Sequence, residues 1–213
     1  MKIVQVSAAL AVSLYPVIGN SAELTFGGGV SLTSRYISDG LSDFNNPAII
    51  PYFEVSKSGF YAGAEAANVK DAFGNSSYLD IFGGYRNELP VGLSYDIGYT
   101  QHYLNRTHDG GGEFTLALAY PVTEQFTMTA ETSYDLSEKA FGGNLGVEYA
   151  PSETWDTSVV VGRADSASSP FWEAGATYHI NDRVDIGLKY GDTSSTKGVV
   201  GLTLGYSFGA AER

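Results

Sequence analysis

The chain has 213 residues and a net charge of −12, from 24 acidic against 12 basic side chains, with no cysteine and 26 Gly, 15 Tyr and 11 Phe. That charge leaves no basic patch to displace counterions from phosphates, which excludes a nucleic-acid partner, and the missing thiols exclude disulfides and cysteine-built metal clusters. Glycine and aromatics at this density favour many short strands and tight turns, in one sizeable domain or two small ones.

The first 23 residues, MKIVQVSAALAVSLYPVIGNSAE, carry Lys2, an apolar run from Ile3 to Ile18 broken by Pro16, and small residues before Glu23. This predicts a secretory signal peptide over 1–22, cleaved between Gly19 and Ala22, and an exported mature chain over 23–213. The run is too short for a membrane helix and lacks the basic face of an amphipathic anchor. No later stretch holds 18 consecutive apolar residues, so no transmembrane helix is expected.

Period-two segments between turn signals then predict twelve strands, over 24–37, 48–56, 59–69, 77–87, 91–103, 112–121, 125–135, 141–150, 154–163, 170–180, 183–191 and 197–208. Their connections alternate. KSG (57–59), NELP (87–90), PVTEQ (121–125), PSET (151–154) and IND (180–182) are short. SDGLSDFNN, KDAFGNSS, LNRTHDGGG, DLSEKA, RADSASS and GDTSSTK are longer and polar. A closed up-and-down antiparallel transmembrane β-barrel of the bacterial outer membrane puts short turns at one end and longer loops at the other, and about ten residues per strand suit a tilted crossing. Closure also removes exposed edges.

The alternation assigns faces. In 91–103, Leu93, Tyr95, Ile97, Tyr99 and Tyr103 share one side, and Asp96, Thr100 and His102 share the other. In 197–208, Leu202, Leu204, Tyr206 and Phe208 oppose Gly201, Thr203, Gly205 and Ser207. In a membrane barrel the oily side meets lipid and the polar side meets the lumen. Tyr85, Tyr103, Tyr120, Phe126, Trp155 and Tyr190 fall toward strand ends, where an interfacial aromatic girdle would sit.

The segment from Val30 to Tyr103 resembles the TorF porin family of bacterial outer-membrane proteins. The resemblance is carried by VSLTSRYISDGLS (30–42), PAI (47–49), SGFYAG (58–63), NV (68–69), LDIFGGY (79–85) and LSYDIGYTQHY (93–103). It implies an outer-membrane barrel, lipid and the barrel-insertion machinery as partners, and a channel function. Two positions depart from the family pattern. Arg35 and Asp39 stand where the charges are usually reversed; four apart on one strand they would form a lumen-facing pair of swapped sign, or else stand as two independent loop-end charges. Phe208 stands for the terminal Phe of an insertion signal, yet GAAER follows it.

By alternation Glu54, Glu65, Asp80, Asp96, Glu113, Glu131, Glu148, Asp156, Glu173 and Asp185 face inward, against Arg35, Arg86, Arg183 and Lys189. An excess of carboxylates is heavily penalised in a dry interior and tolerated in a wet one. The expectation is a narrow, acid-lined channel for passive diffusion of small solutes that prefers cations. Two alternatives stand beside it, a structural barrel that conducts nothing and a secreted soluble β-protein that binds carbohydrate through surface aromatics.

No enzyme is expected. His102, His108 and His179 sit in no nucleophile motif, and GxSxG and HExxH are missing. Asp39, Asp43, Asn45 and Asn46 are oxygen ligands at spacings that do not fit an EF-hand, and turn chemistry accounts for them. DGGGE (109–113) has no following helix or Lys to cradle a phosphate. Neither a cofactor nor a metal is called for.

Overall fold

The computed structural model describes residues 23–44, 47–68, 70, 74–164, 169–195 and 197–209; the expected signal segment 1–22 and the tail 210–213 lie outside them. Fourteen strands follow in order: β1 (Thr25–Thr33), β2 (Tyr36–Ser38), β3 (Leu41–Phe44), β4 (Ala48–Lys57), β5 (Phe60–Asn68), β6 (Ser77–Glu88), β7 (Ser94–Leu104), β8 (His108–Pro121), β9 (Phe126–Asp135), β10 (Ala140–Ser152), β11 (Trp155–Arg163), β12 (Pro170–Asn181), β13 (Val184–Thr193) and β14 (Val199–Gly209). Twelve of them, β1 and β4 to β14, close into an antiparallel barrel, and β2 pairs with β3 in a separate hairpin. Closure is made by β1, which pairs with β4 on one side and with β14 on the other, from Gly27↔Gly209 to Thr33↔Thr203. Every barrel strand therefore has two neighbours, and no row of backbone donors is left at an edge.

The barrel has a turn end, with the connections after β4, β6, β8, β10 and β12, and a loop end, with 34–47, 69–76, 105–107, 136–139, 164–169 and 194–198. The expected contrast between the ends is weaker than the composition implies. LNRTHDGGG is drawn mostly into strand pairing, leaving a tight turn over 105–107, and DLSEKA leaves 136–139. Side chains close both. Asn75 Oδ1 accepts from the Arg106 and Thr107 amides at 3.0 and 3.1 Å, and Asp135 Oδ1 accepts from the Ser137 and Glu138 amides at 2.6 and 2.7 Å.

Two strands fall short of expectation by three or four residues at one end. The fifth barrel strand begins at Ser94 rather than at 91, because Gly92 takes φ +80° and the Leu89 amide donates to the Leu93 carbonyl at 2.9 Å. Leu93 thus belongs to a turn and not to an outward strand face. The first strand stops at Thr33 rather than running to 37. The Ser34 amide donates to the Leu202 carbonyl at 2.8 Å, and Ser34 Oγ accepts from the Leu202 amide at 2.9 Å; beyond this the chain leaves the wall.

Polarity across the wall is reversed relative to a water-soluble sheet. Ile97, Leu145, Leu188 and Leu202, at mid-strand on the outside, are each more than half exposed. Aromatic pairs flank this aliphatic belt: Tyr85–Tyr95, Phe126–Tyr149 and Trp155–Tyr178 toward the turn end, Tyr99–Phe114, Tyr134–Phe141 and Trp172–Tyr190 toward the loop end. Tyr103, Tyr120, Tyr206 and Phe208 are also exposed and outward. A continuous oily band of this extent is far larger than water-soluble monomers leave uncovered.

The candidate pore and its lining

Inside the barrel the loop after β1 turns inward. Its β2–β3 hairpin reverses through Asp39 and Gly40, whose φ values of +51° and +73° are those of a type I′ turn. Because side chains on an extended strand alternate in direction, consecutive residues of β2 reach different parts of the wall. Tyr36 packs against the buried cluster of Ala48, Ile50, Ala67, Tyr78 and Leu104, on β4 to β7. Ile37 points toward β13 and β14, where a Cβ on Gly191 would stand 2.6 Å from Ile37 Cγ2 and one on Gly201 would stand 3.2 Å from Ile37 Cδ1. These glycines are the space into which the hairpin fits.

The hairpin is fastened as well as packed. The Gly40 amide donates to Glu173 Oε1 at 2.9 Å; Lys189 Nζ lies 2.6 Å from Glu173 Oε2 and donates to the Ile37 carbonyl at 3.2 Å. A side chain on Gly40 would meet the Asp192 carbonyl oxygen at 2.5 Å, and its φ disfavours one in any case. Burial, then the charges of Glu65 and Asp80, push the Tyr36 hydroxyl well above its ordinary value, so it stays protonated and hydrogen-bonds with Tyr78.

The expected partnership of Arg35 and Asp39 has no common strand to stand on. Arg35 lies in the turn between β1 and β2 and Asp39 at the hairpin tip, so four-residue spacing no longer aligns them. Both line a cavity of about 670 Å³ that runs through the lumen. Asp96, Glu113, Glu131, Glu148, Asp156, Asp185, Arg86 and Lys189 also line it, with Glu54 and Glu65. Arg183 does not belong to the inner face; it sits exposed in the turn between β12 and β13.

Beside the hairpin the polar side chains of the wall are buried. Tyr78 Oη donates to Glu65 Oε1 at 2.7 Å, His102 Nδ1 lies 2.9 Å from Asp80 Oδ1, and Asp80 Oδ2 is buried with no hydrogen-bond partner. Toward the turn end Arg86 lies 2.5 Å from Glu54 and 3.9 Å from Asp96, with its guanidinium 4.0 Å over the Tyr61 ring. Tyr61 Oη in turn donates to Asp96 Oδ1 at 2.6 Å. Across the lumen Glu131 accepts from Asn144 at 3.3 Å, His179 Nε2 lies 2.5 Å from Asp156, and Glu148 and Asp185 line the cavity. Among the described residues no group of three His, Asp or Glu side chains is placed to hold a metal ion. The side chain of Asp43, with Asn45 and Asn46, lies outside the described residues, as does the side chain of His108.

Inward aromatics are what the sequence reading overlooked. Phe60 and Tyr61 are adjacent in β5, so one of them had to face in; Tyr61 shares its parity with Glu65 and packs at 6.2 Å against Phe82, which faces in from β6.

The sequence matches, over residues 18–208, the family described as bacterial protein of unknown function (Gcw_chp). The chain belongs to the Gcw_chp family. No curated protein matches it. Among solved structures the barrel is similar to the KdgM porin, with a TM-score of 0.64 at 10% identity over 86% of this chain and 99% of that one. It is similar also to the NanC porin, with a TM-score of 0.54 at 14% identity over 85% and 98%. A third likeness is to the COG4313 outer membrane channel from Pseudomonas putida F1, with a TM-score of 0.54 at 9% identity over 87% and 95%. At these identities the likeness establishes a shared twelve-stranded barrel fold.

Proposed function

We propose that this Gcw_chp protein is an outer-membrane channel for passive diffusion of small solutes, preferring cations and neutral polar molecules. The observation that carries the reading is the reversed polarity: an unbroken apolar exterior closes around a cavity lined by carboxylates. Hydrocarbon accepts the first and water the second. Arg35, Arg86, Arg163 and Lys189 answer only part of the acidic set, and the excess attracts cations as carboxylate rings do in selective channels. One similar barrel, the KdgM porin, has been solved in complex with disordered oligogalacturonate; an acid-lined lumen repels such a polyanion, so the solute class here differs. The TorF resemblance of 30–103, export by the 1–22 segment, insertion guided by Phe208 in the last strand, and a role in transport instead of catalysis belong to the same proposal.

The inward hairpin favours a second reading, a barrel that does not conduct. Swelling of proteoliposomes loaded with the purified full chain separates them. Small diamines and neutral sugars should enter faster than dicarboxylates of equal size. Vesicles that swell no faster than empty ones support the second reading, and preference for the dicarboxylate refutes the first.

A further inference from the structure

The hairpin does not fill the lumen evenly, and this bears on which residues govern passage. Around the barrel the strands run β12, β13, β14, β1, β4, β5, β6, β7, and the hairpin touches this arc from end to end: Glu173 of β12 at Gly40, β13 and β14 at Ile37, β4 to β7 at Tyr36. The opposite arc, β8 to β11, lines the same cavity with Glu113, Glu131, Ser133, Asn144 and Arg163. Arg35, in the turn before the hairpin, and Asp39, at its tip, line that cavity too.

Resting on the channel reading above, we propose that the 34–40 segment is a fixed constriction that pushes the conducting path against β8–β11, and that Glu131 in the resulting eyelet determines ion selectivity. Lys189 is a positioning residue for it, holding the Ile37 carbonyl and Glu173 together. A carboxylate in the narrow part acts on every passing ion within a Debye length of about 8 Å, whereas Asp185, in the wider turn-end half, acts through more water and counterions. A steric obstacle held on two sides by buried packing behaves as part of the wall, not as a lid.

Two measurements on the full chain test this, each with heat-dependent gel mobility as the check that the barrel has folded. In planar bilayers, replacing 36–43 with two glycines should raise single-channel conductance severalfold; Glu131→Gln should shift the reversal potential toward zero much further than Asp185→Asn. Equal shifts, or unchanged conductance after hairpin removal, overturn the proposal. Thiol labelling does not depend on conduction and uses the absence of native cysteine. With a bulky maleimide, Ala67→Cys, behind Tyr36, should react many times more slowly than Ser133→Cys on the open arc, and hairpin removal should abolish the difference. Comparable rates in the intact barrel overturn the fixed constriction even if the channel conducts. Silent bilayers with the labelling contrast intact refute the channel reading, and with it the selectivity role of Glu131, while leaving the obstruction supported.

Discussion

Two histidine–aspartate pairs on the inner wall make opposite use of the same chemistry. His102 and Asp80 meet between β7 and β6 next to the hairpin, with side chains 11% and 2% exposed; His179 and Asp156 meet between β12 and β11 near the turn end, at 19% and 29%. Each pair stands on directly opposed or near-opposed residues of neighbouring strands whose inward faces alternate alike. The difference comes from elsewhere in the chain. Where Tyr36 closes over β4–β7 a polar face becomes a buried network, and where no hairpin reaches, the same kind of face stays in water.

Removing the dry pair's histidine should have the larger effect. His102→Ala leaves Asp80 buried with both carboxylate oxygens short of partners, and breaking such a pair costs about 3 kcal/mol. Urea titration of the barrel in lipid vesicles reads this as a lower midpoint. Tyr78→Phe follows, since Glu65 then loses the hydroxyl at 2.7 Å in a buried site, at about 1–3 kcal/mol in the same titration. Gly40→Ala forces a side chain into a positive-φ position facing the Asp192 carbonyl, and should cost about 1 kcal/mol or more, with faster labelling of Ala67→Cys as the hairpin loosens. His179→Ala should move the urea midpoint least, by less than about 1 kcal/mol, because water replaces the lost partner. If the two histidine variants proved equally costly, the division of the wall into dry and wet regions would be wrong.

Acid should weaken the charge selectivity of the wet region. Cation preference should hold at neutral pH and fade in acid, since protonation removes the negative charge that attracts cations. Reversal potentials at a series of pH values check the direction; a preference that strengthens in acid would contradict it.

Strand positions, antiparallel closure and the inward or outward parity of most side chains were legible because hydrophobic alternation reports directly on which face a residue takes. Leu202 and Leu204 against Gly201 and Thr203 illustrate this: nothing but the pleat is needed to place them. The hairpin was not legible. Residues 30–38 keep an extended pattern through Tyr36 and Ile37, and that pattern is real, since both side chains do point to opposite sides. Alternation identifies extended chain, however, and does not say which surfaces its two faces meet. The turn at Ser34 and Arg35 depends on hydrogen bonds to Leu202, 168 positions away, which no local signal carries. Composition misled in the other direction at 108–112, where glycines that read as loop pair with β7 beside His102 and Tyr99.

The central claim is that carboxylates face water along a conducting path. Its most direct test is the reversal potential of the full-length protein in a planar bilayer across a potassium chloride gradient. The account predicts a potential of the sign given by potassium moving faster than chloride, diminished in Glu131→Gln. A potential of the opposite sign, or a folded barrel that passes no current, would contradict it.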